Sequence, residues 1–315
     1  MGTSADGPST GRRLRVAMVG LGDIAQKAYL PVLGALPDID LRLHTRNADK
    51  LRRIAEAHRI PSWTTDLDEL LAAGLDAAFI HTATASHVSL AERLLKAGVH
   101  VYVDKPLDYH LKGAERLAGL AERFGRSLMV GFNRRHAPGY VELLKQPRDL
   151  IVMQKNRKDL AGDVRTVIFD DFIHVVDTLR FLLPGEITHM DVRAKVRDGL
   201  LFHVLLQLSG NGHTAIGIMN RDSGSTEEVC EVMGDGRKSQ VLDLADVIDH
   251  KGSQIRTRRP DWDPVARQRG IEQSCARFLD AVRAGTTLSP ADALLTHRMC
   301  EEIITIIEAR GEKGS

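Results

Sequence analysis

The run Leu14-Arg15-Val16-Ala17-Met18-Val19, followed at once by Gly20-Leu21-Gly22-Asp23-Ile24-Ala25, constrains this chain more than any other segment. A short apolar run of this kind reads as a buried strand, and here it feeds Gly-x-Gly-x-x-Ala and then a helical pattern. The first glycine permits the tight turn and the second leaves bare backbone for a pyrophosphate. Ala25 lets helix and strand approach closely. Free N–H groups at the start of the helix complete an anion cradle. A lone glycine-rich turn would be weak; its position on the first strand of a βα series makes it informative. The motif predicts a Rossmann-type dinucleotide domain with Gly20, Gly22, Asp23 and Ile24 against the cofactor.

From Leu14 to Asn133, short β-rich runs alternate with longer helical patterns, the signature of βαβ units and a parallel sheet. Strands are expected at Leu14 to Val19, Asp40 to Thr45, Asp76 to Thr82, Val99 to Val103 and Ser127 to Phe132. Helices are expected at Asp23 to Leu36, kinked by Pro31, and at Ala48 to His58, Leu67 to Ala73, Ser86 to Ala97 and Leu111 to Phe124. Past Pro138 the alternation stops. A helix near Phe172 to Leu183 is followed by β-rich runs without helices between them, which argues an antiparallel sheet. Ser209-Gly210-Asn211-Gly212 and Gly234-Asp235-Gly236 read as hairpin turns. They join Leu201 to Leu208 with His213 to Met219, and Glu228 to Met233 with Gln240 to Leu244. Helices at Pro264 to Ala284 and Pro290 to Ala309 follow. The fold class is therefore α/β: a flexible tail over 1–12, a doubly wound Rossmann domain over 13–132, and an α+β domain over 133–315 with a large, mostly antiparallel open sheet. The last helix, 290–309, is a candidate for packing back on the first domain.

Composition narrows the partners. Lys and Arg number 43 against 42 Asp and Glu, so a net charge of +1 gives no electrostatic reason to expect nucleic acid or an anionic membrane. No stretch approaches about 18 uninterrupted apolar residues. A small-molecule substrate is the simpler expectation. Cys230, Cys275 and Cys300 lie far apart without Cys-x-x-Cys spacing and read as reduced thiols of a cytoplasmic protein. No His-x-x-x-His, Cys-x-x-Cys or clustered acidic loop offers a metal site, and there is no Gly-x-Ser-x-Gly elbow.

An NAD enzyme usually carries Asp or Glu at the end of the second strand to bond the ribose hydroxyls. This chain has Leu43-His44-Thr45-Arg46-Asn47, with Thr45 where the acid would stand. Loss of a carboxylate and gain of Arg46 suit a 2′-phosphate, so Thr45, Arg46 and Asn47 predict NADP(H) in preference to NAD(H). The alternative is that Arg46 merely opens an exposed helix.

Four further segments carry a family resemblance: Thr82-Ala83-Thr84-Ala85-Ser86-His87, Asp104-Lys105-Pro106-Leu107, Gly131-Phe132-Asn133-Arg134-Arg135-His136-Ala137-Pro138 and Asp170-Asp171-Phe172-Ile173-His174-Val175-Val176-Asp177. In order and spacing they resemble the glucose-fructose oxidoreductase, inositol dehydrogenase and rhizopine-catabolism (Gfo/Idh/MocA) family, and within it the virulence-factor-type oxidoreductases of unassigned substrate. The resemblance implies that Lys105 contacts both the nicotinamide and the substrate oxygen, with Asp104 replacing the family's Glu and a cis bond between Lys105 and Pro106. It also implies that His174 exchanges a proton with the substrate and that Asp170 orients His174 or bonds a neighbouring hydroxyl. Thr82, Thr84 and His87 are implied near the dinucleotide, and Asn133 beside it. A homo-dimer or homo-tetramer formed through the open sheet is implied too.

The residues can be weighed on their own terms. Lys105 leaves a parallel strand at its carboxyl end, where doubly wound sheets bind ligands. On a helical wheel Asp170, His174 and Asp177 fall in one polar stripe opposite Phe172, Ile173, Val176 and Leu179, which alone describes an amphipathic helix with a solvated face. Asp171 points about 100 degrees away and is the less favoured partner of His174. An imidazole of ordinary pKa near 6.5 serves as acid or base at neutrality. Of the adjacent Arg134 and Arg135, one is expected to face the cleft and the other to form an interdomain salt bridge. Arg134, Lys155 and Arg157 together suit a hydroxylated or carboxylate-bearing substrate. The leading expectation is an NADP(H)-dependent reductase of a sugar, cyclitol or related polyol, with Lys105, Asp170 and His174 catalytic. Reduction of an imine or conjugated acceptor, or a non-catalytic dinucleotide-sensing regulator, are the alternatives.

Overall fold

The computed structural model describes residues 12–311; the tail expected over 1–12 lies, Arg12 apart, outside them. The first sheet has six parallel strands: β1 (Leu14–Val19), β2 (Ile39–His44), β3 (Ser62–Thr64), β4 (Ala77–Ile80), β5 (His100–Val103) and β6 (Leu128–Val130). Their order is β3-β2-β1-β4-β5-β6. Helices cover both faces, so central strands are apolar throughout; Ala77, Ala78, Phe79 and Ile80 are all fully buried. The order reverses at β1, whose neighbours are β2 and β4, and this opens a crevice at the carboxyl ends of the strands.

The helices of this domain are α1 (Leu30–Gly34), α2 (Ala48–Ala57), α3 (Leu67–Ala72), α4 (His87–Lys96) and α5 (Leu111–Phe124). Asn47 and Asp66 cap α2 and α3 by accepting backbone N–H groups of the first turn. Instead of one kinked helix over 23–36, a π turn at Ala25–Tyr29 runs into α1, with Pro31 in its first turn, where a missing N–H costs little. Strand β3 has only three residues after Pro61, too few to show an alternation.

The second domain starts with α6 (Pro138–Leu143) and builds a sheet from β7 (Leu150–Asn156), β8 (Gly162–Asp163), β9 (His189–Arg197), β10 (Leu200–Gly210), β11 (His213–Asn220), β12 (Glu227–Gly234), β13 (Arg237–Leu242), β14 (Asp246–Lys251) and β15 (Ser253–Thr257). The order is β15-β14-β13-β12-β7-β11-β10-β8, with β9 paired to β10, and only β7 with β11 is parallel. The first expected hairpin turns at Asn211 (φ 53°) and Gly212 (φ 82°), the left-handed pair that a type I′ turn needs.

Helix α7 (Val164–Val167), a π turn at Ile168–Phe172 and α8 (Ile173–Leu182) form one rod across one face of this sheet. Gly217 on β11 admits it: a Cβ there would lie 2.6 Å from Val175 Cγ1. Among the described residues nothing covers the opposite face, which carries the cross-strand row Leu205, Ile218, Gln154 and Val229, each half-buried.

Where a single helix was expected over 264–284 there are two, α9 (Val265–Gln268) and α10 (Ile271–Arg283). Gly270 separates them with φ 76°, tucked against Asn133 O and Ala137 N. Helix α10 packs on the first domain: Phe278 meets Phe79 and Tyr102 edge-on at 5.2 and 5.7 Å. Ser274 Oγ lies 3.0 Å from the Tyr102 hydroxyl, which lies 3.2 Å from that of Tyr29. Helix α11 (Ala291–Gly311) also returns to that domain. His297 Nε2 accepts from the Leu107 N–H at 3.0 Å, and Glu301 accepts from Leu111 N and from Arg165.

Candidate active site

β1 delivers Gly20 into the crevice with φ 92°, and a Cβ there would stand 2.7 Å from Thr82 N, so a side chain cannot be accommodated. Gly22 differs. The atom nearest to a Cβ there is His81 O at 3.7 Å, so a side chain would clash with nothing but would occupy the open cradle. Thr82 Oγ1 is buried without a hydrogen-bond partner among the described residues, an orphan that a ligand oxygen would satisfy. The crevice encloses about 380 Å³ and runs from Gly20 and Gly22 past Thr82 to Thr45, Arg46 and Lys50. Bare backbone, an unpaired hydroxyl and a cationic end fit a dinucleotide phosphate chain. No Asp or Glu is among the described residues lining it.

Several expected cofactor residues stand elsewhere. The ring of His87 is 1% exposed, with Nδ1 2.8 Å from Pro106 O and Nε2 3.0 Å from Thr82 O. Both nitrogens are committed to backbone, so His87 ties the Lys105-Pro106 loop, whose peptide is cis, to the crevice wall and has none left for a ligand. Asp23 turns outward to Lys27 at 2.8 Å. Asn47 spends its side chain on capping α2 through Lys50 N, and neither it nor Thr84 lines the crevice. Lys50 was missed by sequence reasoning; its position one turn into α2, beyond Arg46, is the signal that was available.

A second cavity of about 360 Å³ adjoins the carboxyl end of β5. Lys105 and Asp104 enter it from that strand, Asn133 and Arg134 from the segment after β6, and Lys155 and Arg157 from the end of β7. Asp170, Asp171 and His174 come from the helical rod, and Ile24 closes one side. Lys105 Nζ donates to the backbone oxygen of Asp170 at 2.5 Å, and its N–H donates to Asp104 Oδ1 at 2.9 Å. The other Asp104 oxygen lies 3.6 Å from the buried ring of His81. Asn133 Nδ2 donates to Arg269 O at 2.6 Å.

The expected pairing of Asp170 with His174 is not formed. Asp170 Oδ2 accepts from the Tyr109 hydroxyl at 2.7 Å, and His174 Nδ1 has no partner among the described residues. The cause is local: Ile168–Phe172 is a π turn, so the regular spacing behind the wheel fails there, and the carboxylates of Asp170 and Asp171 both reach the cavity. Asp171 accepts from Arg157 at 2.8 and 2.9 Å, from Arg221 at 2.6 Å and from Lys155. Asp177 does not share a solvated stripe. It is 1% exposed and bound by Arg135 and Thr296. Both arginines after Asn133 are paired, in opposite directions and within the second domain: Arg134 with Glu228 at 2.8 and 2.6 Å, Arg135 with Asp177 and Asp292. Tyr109, Arg221 and Glu228 were invisible in the sequence, because sheet register and loop path bring them in.

The electrostatics follow from burial and this crowd of cations. Burial, then Arg134, Lys155, Lys105 and Arg157, push the His174 imidazole well below its ordinary value. Burial also lowers the Lys105 ammonium, opposed by Asp104 and Asp170. Lys155 is lowered by burial and then by Arg134. Against the effect of its own burial, Lys155 and Arg157 hold the Asp171 carboxyl well below the carboxylate range. Among the described residues no group of His, Cys, Asp or Glu is arranged to hold a metal ion.

A parallel sheet in this order, a glycine-lined phosphate cradle at its switch point, and an open-sheet domain that brings lysine and histidine to the cradle's end define a two-domain oxidoreductase with an NAD-binding Rossmann fold. Residues 14–132 match the model described as oxidoreductase family, NAD-binding Rossmann fold, and residues 138–251 match the YceM-like C-terminal domain. The Salmonella typhimurium protein named "Putative oxidoreductase YceM" is 37% identical over 310 residues, 93% of this chain and 97% of that one. Inositol 2-dehydrogenase 4 of Saccharopolyspora erythraea is 29% identical over 304 residues, 87% of each chain. The crystal structure of a Gfo/Idh/MocA family oxidoreductase from Vibrio cholerae matches with a TM-score of 0.87 at 32% identity, covering 94% of this chain and 99% of that one. The chain belongs to the Gfo/Idh/MocA family of oxidoreductases. Among the described residues no helix is long and apolar enough to cross a membrane.

Proposed function

We propose that the protein is an NADP(H)-dependent oxidoreductase acting on a hydroxyl or carbonyl carbon of a sugar, cyclitol or related polyol. The observation that carries this reading is the convergence of Lys105, Asp170 and His174 on one cavity beside the dinucleotide crevice. Similarity to an inositol 2-dehydrogenase supports the polyol class. Bound nicotinamide supplies or accepts the hydride. The Lys105 ammonium, steadied by the Asp170 carbonyl, stabilises the substrate oxygen as it gains negative charge. His174, kept neutral by burial and then by its cationic neighbours, takes the proton of the substrate hydroxyl as general base. Tyr109 holds the Asp170 carboxylate toward a neighbouring hydroxyl. The acid limb of the pH profile of kcat/KM for oxidation is expected below about pH 6.5, the ordinary imidazole value; a limb above it would rule His174 out as this base.

The NADP(H) preference rests on Arg46 and Lys50 at the end of a crevice whose described lining has no carboxylate. Charge-assisted bonds to a 2′-phosphate make NADPH bind about tenfold or more tighter than NADH, with Arg46→Asp reversing the order. Equal dissociation constants, measured by quenching of protein fluorescence, would reject the preference.

We also read the protein as a cytoplasmic homo-dimer or homo-tetramer. Its three cysteines are buried and free, which suits a reducing compartment. The uncovered row of Leu205, Ile218 and Val229 suits a second copy. Light scattering is expected to give a native mass two or four times that of one chain, falling in Ile218→Asp; a wild-type monomer would refute this.

A further inference from the structure

We infer that the substrate carries a carboxylate or phosphate group, held by Arg134, Lys155 and Arg157 on the second-domain wall of the cavity. This deepens the reading above and rests on it for the hydride chemistry alone.

The first argument is charge. Lys155, Arg157 and Arg221 all converge on the single carboxylate of Asp171, and the side chains of Lys155 and Arg221 are only 3% and 8% exposed. Glu228 is taken by Arg134, while Asp104 and Asp170 stand with Lys105. Three cations against one carboxylate leave this wall positive, and the second carboxylate beside Lys105 offsets only part of that excess among the described residues. Buried charge of one sign is costly unless a partner arrives to compensate it.

The second argument is the geometry of the unused donors. Arg134 gives Nε and Nη2 to Glu228, and Arg157 gives the same pair to Asp171. In each, Nη1 has no partner among the described residues, and both side chains line the cavity. Guanidinium groups locked side-on by a carboxylate are fixed donors, and fixed cationic donors match an oxyanion better than a hydroxyl. Arg269 stands exposed at the edge of the same cavity and adds to an attractive field at its entrance.

Behind burial, which is the main cause, the same excess of positive charge contributes to the depressed protonation of His174 and Lys155. A bound anion relieves it, so binding draws a proton onto the site.

The test compares D-glucuronate, D-gluconate and D-glucose 6-phosphate with D-glucose and myo-inositol on the whole protein with NADP(H). Turnover is followed by nicotinamide absorbance. Binding is followed by titration calorimetry in two buffers of different ionisation enthalpy. Two charge-assisted hydrogen bonds correspond to about a hundredfold in kcat/KM for the preferred anion over its neutral parent, declining with added salt. Proton uptake on binding is expected, and Arg157→Met should shrink the anion-to-neutral ratio about tenfold or more, with circular dichroism and NADPH binding checking its fold. The carboxylate and phosphate arms identify the oxyanion. Neutral compounds used as well as anionic ones, no anion bound at millimolar concentration, or a ratio unchanged in Arg157→Met would each overturn the inference and leave the redox reading standing. Anions that bind, lose affinity in Arg157→Met and never exchange hydride would instead overturn the redox reading and keep the oxyanion site.

Discussion

Lys105→Met is expected to lower turnover by at least about a hundredfold while leaving NADPH affinity largely unchanged, and His174→Ala to do the same. The two side chains act at different points. Lys105 supplies fixed positive charge where negative charge develops, and its Nζ already rests on the Asp170 oxygen at 2.5 Å. Methionine keeps the length of the stem and removes the charge, so the loss measures electrostatic stabilisation rather than packing. His174 is buried against α8's neighbours with Nδ1 unpaired among the described residues, so its replacement removes a proton acceptor without stranding a partner. Steady-state kinetics with fluorescence titration of NADPH separate the two effects. Turnover retained in both variants would remove them from the mechanism.

Glu228→Ala is expected to destabilise the second domain by about 3–5 kcal/mol, the scale for stripping one partner from a buried ion pair. Glu228 accepts from Arg134 twice and from the Tyr140 hydroxyl at 3.0 Å, all in a buried setting. Its removal leaves a guanidinium without compensation. Against burial, Arg134 holds the Glu228 carboxyl down to about 2. A carboxyl depressed on folding contributes stability that is full above its unfolded pKa of about 4.3 and is lost as pH falls through the folded value. Acid should therefore weaken the wild type more than Glu228→Ala between about pH 4.3 and 2. Urea midpoints across that range check both statements; a difference below about 1 kcal/mol at neutral pH would contradict the first.

The first sheet was legible because its signals are local: Gly20 and Gly22 mark a backbone geometry, and the apolar runs Leu14 to Val19 and Val99 to Val103 announce buried strands in four to six residues. β9, β14 and β15 were not, since strands such as His189–Arg197 are mostly exposed and carry charge where alternation would have to show. In the site, Lys105 and Lys155 could be nominated from the ends of strands, and His174 from the polar stripe of a helix and the family resemblance. Their partners could not. Asp170 and Asp171 were sorted by a spacing that the π turn at Ile168–Phe172 sets aside, and Asp171 meets Arg221 only because β11 ends beside β7. His87 misled for the opposite reason, since a polar residue near a ligand crevice can be fully occupied in holding its wall.

The docking of α10 on the first sheet has a bearing on how the chain is made. Phe79 and Tyr102 belong to strands completed by residue 103, yet the Phe278 that covers them follows far behind in synthesis. At ribosomal rates of about 5–20 residues per second, roughly 9–35 s separate the emergence of that aromatic surface from the arrival of its cover. During that interval the nascent first domain carries an unsheltered greasy patch, so a ribosome stalled before α10 should display a chaperone substrate rather than a finished nucleotide-binding module.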